Sequence, residues 1–355
     1  MTATMNRPQE GTLLELRDVR THFTTARGVV RAVDGVSFTL DRGKSLGIVG
    51  ESGSGKTILA RSIMGLLPRR GTIRHGEVLY AGQDLASLSL KGMRKFWGQE
   101  MSMIFQDPMT SLNPLMRIGH QISEPLRVHL HMDKVSARAV ALKLLQDVGI
   151  PEPEKRLDQY PHELSGGMRQ RAMIATALAC GPTLLFADEP TTALDVTVQA
   201  QILDLIQDQR RDRNMSVILV THDLGVVAGH TDEIAVMYAG TLAEKASTTE
   251  LFANMKHPYT EALLRSIPRL DQPSHTRLLA IGGRPPDLIT PPTGCSFAPR
   301  CPYAGDKCLT GIPELEAASA DHFFACWHPV GSPRWRSKQD ELVSTGVLSV
   351  TGGIA

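Results

Sequence analysis

The chain has no excess of either charge. Among its 355 residues, 38 lysines and arginines face 37 aspartates and glutamates, a formal net charge of +1. So bulk electrostatics gives no reason to expect a nucleic-acid partner. Long hydrophobic runs are also missing. The longest uncharged stretch, Ala172 to Ala187, is too short to cross a bilayer comfortably, and Gly181-Pro182 interrupts it. The first residues, MTATMNRPQEG, lack the apolar core of a secretory signal. A cytosolic chain is expected, with any membrane association arising through partners. No internal repeat or low-complexity segment is visible. What remains is ordinary for a globular protein, with 42% hydrophobic and 21% charged residues, and enough length to bury a substantial core.

Three textures follow one another along the chain. From residue 12 to about 90, short β-branched runs such as Val36-Ser37-Phe38-Thr39-Leu40 alternate with turns. They lead to a strand, Ser45–Val49, a glycine-rich turn, Gly50–Gly55, and a helix, Lys56–Leu67. Residues 115–165 read as mostly helical, with apolar residues at helical spacing over Ser136–Val148. From Arg169 to about Thr248, helices alternate again with strands at 183–187 and 216–220. Their continuous apolar runs suit a parallel sheet covered on both faces. The expected class is therefore α/β: a mainly parallel sheet carrying a helical insert, followed by a small cysteine-containing appendage. The expected divisions are a core at 12–265 with a helical subdomain at about 100–168, a loop-rich appendage at 266–335, and a flexible tail at 336–355.

The turn Gly50-Glu-Ser52-Gly53-Ser54-Gly55-Lys56-Thr57 fits the phosphate-loop pattern G-x-x-x-x-G-K-[ST], between a strand and a helix. Glycines let backbone N–H groups close around phosphate oxygens, and the helix amino terminus adds partial positive charge. Lys56 reaches the β- and γ-phosphates in this motif, and the Thr57 hydroxyl helps hold Mg²⁺. The complement is an acidic pair after a buried strand, Leu184-Leu-Phe-Ala-Asp188-Glu189. Asp188 is the candidate Mg²⁺ ligand, and Glu189 the candidate general base for an attacking water. Taken alone, the pair could equally be a solvated strand end; the phosphate loop favours the catalytic reading.

Leu164-Ser165-Gly166-Gly167-Met168-Arg169-Gln170, upstream of the acidic strand, resembles the signature sequence of ABC ATPases. Other elements of that family follow its order. Gln106 resembles the Q-loop glutamine, also a candidate Mg²⁺ ligand beside Thr57 and Asp188, Thr192-Ala-Leu-Asp195 the D-loop, and His222 the switch histidine. Phe23 is the candidate aromatic that stacks on adenine. The resemblance implies that Ser165, Gly166 and Gly167 contact ATP held by an opposing subunit, so that two subunits close over two nucleotides. One phosphate loop and one signature make half of that machine, and a partner ATPase is expected. In it Glu189 and His222 position the water, while Gln106 couples the nucleotide to the surface where a membrane subunit docks.

A narrower resemblance extends over about residues 12–330. Gln106-Asp-Pro-Met-Thr-Ser-Leu-Asn-Pro114, Tyr160-Pro-His-Glu-Leu-Ser165, His257-Pro-Tyr-Thr-Glu-Ala-Leu263 and the cysteine segment after Gly294 are similar to the ATPases of oligopeptide and dipeptide importers, a group that includes nickel importers. It implies ATP and Mg²⁺ as ligands and peripheral attachment at the cytoplasmic face of the membrane. The implied partners are a homologous ATPase, two membrane permeases and an extracytoplasmic substrate-binding protein, with no nucleic acid. Peptide import is the expected function, and import of nickel or another small solute the alternative. ABC ATPases of DNA repair or translation usually carry a long coiled coil, zinc insertions or tandem cassettes, and none is seen here.

Cys295, Cys301, Cys308 and Cys326 are separated by five, six and seventeen residues. Disulfides are disfavoured in a reducing cytosol. Structural zinc usually takes tighter C-x₂₋₄-C pairs; wider spacing, with Pro302 after Cys301, suits a [4Fe–4S] cluster. An iron–sulfur cluster, zinc and free structural cysteines therefore stay open, the first favoured. The resemblance points the same way, since some peptide-importer ATPases look to carry such a cluster. Cys180 is expected as a small buried side chain in a helix–strand turn.

Overall fold

The structure, a computed structural model, describes residues 11–68, 70–191, 196–267 and 281–344. Its strands are β1 (Thr12–Thr25), β2 (Gly28–Asp41), β3 (Ser45–Val49), β4 (Thr72–Tyr80), β5 (Gln83–Asp84), β6 (Met101–Ile104), β7 (Leu184–Asp188), β8 (Ser216–Thr221), β9 (Glu233–Tyr238), β10 (Thr241–Ser247), β11 (Glu316–Ser319) and β12 (His322–Phe324). One sheet of four strands has the order β2-β1-β4-β5. The chain divides into two compact units, the first drawn from Met1–Glu15, Thr39–Ser45 and Leu79–Val220, the second from Leu16–Phe38, Leu46–Val78 and Thr221–Ala355.

In the first unit, β6, β7 and β8 lie side by side and parallel, with Met101 opposite Leu184 and Leu184 opposite Ser216. All five residues of β7 are buried. That is the physical counterpart of its uninterrupted apolar run, since a strand covered on both faces has no place for polar alternation. The helical segment is built as its periodicity predicts. The helix Lys134–Asp147 buries Ala137, Ala141, Leu144 and Leu145, a stripe at i, i+4, i+7 and i+8. Asp133 caps it by accepting from the N–H groups of Val135 and Ser136. The helix Ile118–His129, the short turns Pro153–Arg156 and Pro161–Glu163, and the helix Gly166–Leu178 complete this part.

In the second unit, β3 pairs parallel with β9, Leu46 opposite Glu233 and Val49 opposite Val236. A tight hairpin then reverses the chain from β9 into β10. Ala239 (φ 48°) and Gly240 (φ 84°) both take the left-handed conformation that a two-residue turn of right-handed twist requires. The helix Lys56–Ile63 is four residues shorter than the sequence suggested.

The carboxy-terminal appendage carries two short strands among its loops. β12 pairs antiparallel with β10, Phe324 opposite Glu244, and β11 pairs with β12. The appendage thus adds two strands beside β10. Of the flexible tail expected at 336–355, residues 336–344 belong to a helix, Pro333–Ser344, and 345–355 lie outside the described residues. Trp335 Nε1 donates to Glu261 Oε2 at 3.1 Å and Tyr303 Oη to Gln339 Oε1 at 2.9 Å, fastening it to the fold. Two directed polar contacts and an aromatic contact between Tyr303 and Trp335 escape a search for apolar periodicity. Among the described residues, no helix is long and apolar enough to cross a membrane.

Candidate functional site

The second unit holds the phosphate loop. Buried β3 delivers the chain to Gly50, and the helix Lys56–Ile63 carries it away. Two glycines are required by space. A Cβ on Gly50 would lie 2.2 Å from the Met237 carbonyl oxygen, and one on Gly55, whose φ is 102°, would lie 2.2 Å from the Ala32 carbonyl oxygen. The Lys56 ammonium is buried and curls back over the loop, donating to the Gly50 carbonyl at 2.7 Å and the Glu51 carbonyl at 3.0 Å. Ser54 Oγ is buried without a hydrogen-bond partner, a polar atom inside the loop of the kind a phosphate oxygen or water satisfies. Ser52 and Gly53 are exposed, and Thr57 is half-buried at the start of the helix.

Phe23 is half-buried on β1. Two residues earlier on that strand, Thr21 Oγ1 lies 2.8 Å from Ser62 Oγ of the helix after the loop. Alternation along the strand puts Phe23 on the same face as Thr21. His222 is exposed, directly after β8.

Glu51, the second residue of the loop, carries an anchor that the sequence did not disclose. Arg300 of the cysteine-bearing appendage grips its carboxylate with both terminal nitrogens, at 2.6 and 2.9 Å. Tyr259 Oη accepts the Glu51 backbone N–H at 2.8 Å. The carboxylate holds the Arg300 guanidinium charged well above its ordinary range. The motif His257–Leu263 stands out in the sequence only as a family resemblance, and nothing around Arg300 distinguishes it from other arginines.

In the first unit, β7 ends at Asp188, which is 1% exposed. Glu189 takes a left-handed conformation (φ 46°), and its N–H donates to the Val220 carbonyl at 2.9 Å. Gln106 Nε2 donates to Glu189 Oε2 at 2.8 Å, so two residues 83 apart in sequence meet. Non-glycine residues pay for that backbone conformation, which concentrates where function demands a particular aim of the side chain.

The signature segment opens the helix Gly166–Leu178. Ser165 is its N-cap, its hydroxyl accepting the Met168 N–H at 3.3 Å. Ser165 and Gly166 are exposed and Gly167 half-buried; a Cβ on Gly166 would meet nothing. Three residues on, buried Gln170 donates its amide to the Pro190 carbonyl, tying this helix to the segment after Glu189. Thr192–Asp195, the D-loop candidate, lies outside the described residues.

Cys295, Cys301, Cys308 and Cys326 all line one small pocket, with Phe297, Tyr303 and Trp327 among the other walls. Burial pushes the Cys301 thiol up to about 12 and raises Cys295 and Cys326 as well. All the cysteines are free thiols. Among the described residues, no group of three or more His, Cys, Asp or Glu side chains is placed to hold a metal ion. Cys180 is half-buried rather than buried, with burial still lifting its thiol to about 11.

The family described as ABC transporter matches residues 33–192, and that described as oligopeptide/dipeptide transporter, C-terminal region, matches residues 243–308. The oligopeptide transport ATP-binding protein OppD of Bacillus subtilis is 51% identical over 320 residues, covering 89% of each chain. The dipeptide transport ATP-binding protein DppD of the same organism is 51% identical, covering 89% of this chain and 94% of its own. OppD of Escherichia coli is 47% identical over 93% and 97%. Among solved structures, the dimeric ATP-binding cassette MJ0796 bound to ADP and Pi superposes with a TM-score of 0.60 at 26% identity, covering 66% of this chain and 98% of its own. The protein cbiO1 of Clostridium perfringens gives 0.58 at 26% identity, covering 69% and 92%.

Proposed function

Because this chain belongs to the ABC transporter ATP-binding proteins, in their oligopeptide and dipeptide branch, we propose that it powers peptide import by binding and hydrolysing ATP at a site completed by a second ATPase subunit. The observation that carries this reading is the joint presence of a phosphate loop with a buried lysine and a carboxylate pair ending a buried strand. The exposed signature cap at Ser165 supports the need for a second subunit, since a small polar helix start turned to solvent suits a phosphate presented from outside the chain.

The reaction is phosphoryl transfer to water. Lys56 and the backbone N–H groups of the loop hold the triphosphate, and Phe23 stacks on the base. Glu189 accepts a proton from the attacking water while Gln106 aims its carboxylate, and His222 orients the γ-phosphate. Thr57, Gln106 and Asp188 offer a hydroxyl, an amide oxygen and a carboxylate. This all-oxygen set fits Mg²⁺, which when bound neutralises charge on the phosphate oxygens. The facing Ser165, Gly166 and Gly167 add N–H donors from the opposing subunit.

The appendage suits a [4Fe–4S] cluster better than zinc. Four thiols line one aromatic-walled pocket, and their sequence spacing is wider than the paired C-x₂₋₄-C of structural zinc. When bound, the cluster would staple Cys295, Cys301, Cys308 and Cys326 into one unit.

Partners of this class are a homologous ATPase, two permeases and an extracytoplasmic substrate-binding protein, with the chain peripheral at the cytoplasmic membrane face. Purification of the native complex tests this. Two permeases should co-purify, and ATP turnover should rise with peptide-loaded binding protein. Co-purification with ribosomes or nucleic acid, or stimulation by nickel alone, contradicts it.

A further inference from the structure

The Arg300 contact joins the cysteine-bearing appendage to the phosphate loop within one unit. The guanidinium is 3% exposed and its partner carboxylate 28%, so this is not a solvated surface pair. Its remaining hydrogen-bond capacity is also used. Nε donates to the Gly282 carbonyl at 2.8 Å, one terminal nitrogen to the Ile281 carbonyl at 3.2 Å, and the other to Tyr238 Oη at 3.2 Å. The guanidinium also sits 5.8 Å from the Tyr238 ring centre. Such a fixed fork meets a carboxylate in one orientation only.

On the other side of the contact, every polar part of Glu51 is held. Its carboxylate is taken by Arg300, its N–H by Tyr259, and its carbonyl by Lys56 and the Ser54 N–H. The two tyrosines pack with ring centres 4.6 Å apart and planes tilted by 56°, and each lies 5.3 Å from Phe297 of the appendage. Phe297 and Cys301 flank Arg300 closely in sequence and line the four-cysteine pocket. An anionic side chain in a loop that must receive a triphosphate repels it unless neutralised. Arg300 meets that carboxylate with both terminal nitrogens.

We propose that Arg300 is a positioning residue for ATP binding: it neutralises Glu51 and fixes the phosphate loop, making the cysteine-bearing appendage a working part of the nucleotide site of its own subunit. The proposal rests on the reading of Gly50–Thr57 as the ATP loop, and Lys56→Ala tests that reading separately. If Lys56→Ala binds ATP as the unaltered protein does, the loop reading fails, whatever Arg300 does.

The test is equilibrium binding of a fluorescent ATP analogue with Mg²⁺ to the purified complex. Arg300→Gln should weaken binding about tenfold, and the deficit should shrink as salt is raised, because it arises from a bared charge. The double variant Glu51→Gln with Arg300→Gln should recover most of the lost affinity. A merely structural role for Arg300 predicts the opposite: equal weakness in the single and double variants, at all salt concentrations. Arg300→Lys keeps the charge without the fork, and should bind more tightly than Arg300→Gln and more weakly than the unaltered protein. Unaltered affinity in Arg300→Gln, no rescue in the double variant, or identity of Arg300→Lys with the unaltered protein would overturn the proposal.

Discussion

Gln106 Nε2 donates to Glu189 Oε2 at 2.8 Å, so the side chain proposed to sense nucleotide restrains the carboxylate proposed to activate water. The contact crosses 83 residues of sequence, and both partners stand at strand ends, Gln106 two residues beyond β6 and Glu189 one beyond β7. Parallel pairing of those strands, with Ile104 opposite Ala187, sets their separation. A movement of the Gln106 loop must therefore move or release Glu189. Gln106→Ala should lower kcat by about ten- to a hundredfold, as misaiming a catalytic group does, with a smaller effect on ATP affinity. Steady-state ATPase kinetics beside equilibrium binding checks this, and an affinity loss with unchanged kcat would contradict it.

The glycines of the phosphate loop are not equivalent. Gly55→Ala would drive a Cβ to 2.2 Å from a backbone oxygen at a φ of 102°, whereas a Cβ on Gly53, at φ 81°, meets nothing within 4 Å. Gly53→Ala carries only the backbone strain, about 1–2 kcal/mol; Gly55→Ala must also push the loop off Ala32. Mg·ATP affinity should fall much further for Gly55→Ala than for Gly53→Ala. Isothermal titration of both variants measures it.

The candidate site elements are legible in the sequence where each has a local cause. The buried β7 reads as an apolar run, the glycine turn as a phosphate loop between strand and helix, and the helix Lys134–Asp147 as a stripe of alanines and leucines behind an aspartate cap. The Arg300–Glu51 fork was not legible, because its partners are 249 residues apart and neither sits in a periodic pattern. The strands β11 and β12 were missed for a related reason. They are short, and all four residues of β11 are exposed, so they lack the alternation that marks a half-buried strand. The helix Pro333–Ser344 was read as tail because it is held by Trp335 and Gln339 rather than by an apolar face.

A pH-dependent element of stability lies where the appendage meets β10. His322 Nε2 donates to Glu244 Oε1 at 2.7 Å, and its other nitrogen lies 3.5 Å from Glu250 Oε1. Glu244 is fully buried and also accepts the N–H groups of Lys256 and His257. The Glu244 hydrogen bond, ahead of the opposing effect of burial, raises the His322 pKa. Burial holds neighbouring His257 down at about 4, so it stays neutral through this range. A raised histidine stabilises fully below its unfolded value of about 6.5 and loses that stabilisation as pH rises through the folded value. The melting temperature should therefore fall on alkalisation by a few degrees more than that of His322→Gln. Melting curves of both proteins at pH 6 and pH 9 decide it; parallel curves would contradict the coupling.

The four-cysteine pocket makes a chemical prediction. Protein purified without oxygen should be brown, absorb in the visible range and contain iron, and Cys301→Ser should lose both colour and iron. Elemental analysis distinguishes the alternatives: colourless protein with stoichiometric zinc would contradict the cluster.

The account turns on Glu189 as the base that activates water. The most direct measurement is the fate of radiolabelled Mg·ATP on the assembled complex carrying Glu189→Gln. Intact ATP should remain bound while turnover falls at least about a hundredfold, the loss expected when a general base is removed. Hydrolysis at the unaltered rate would contradict it.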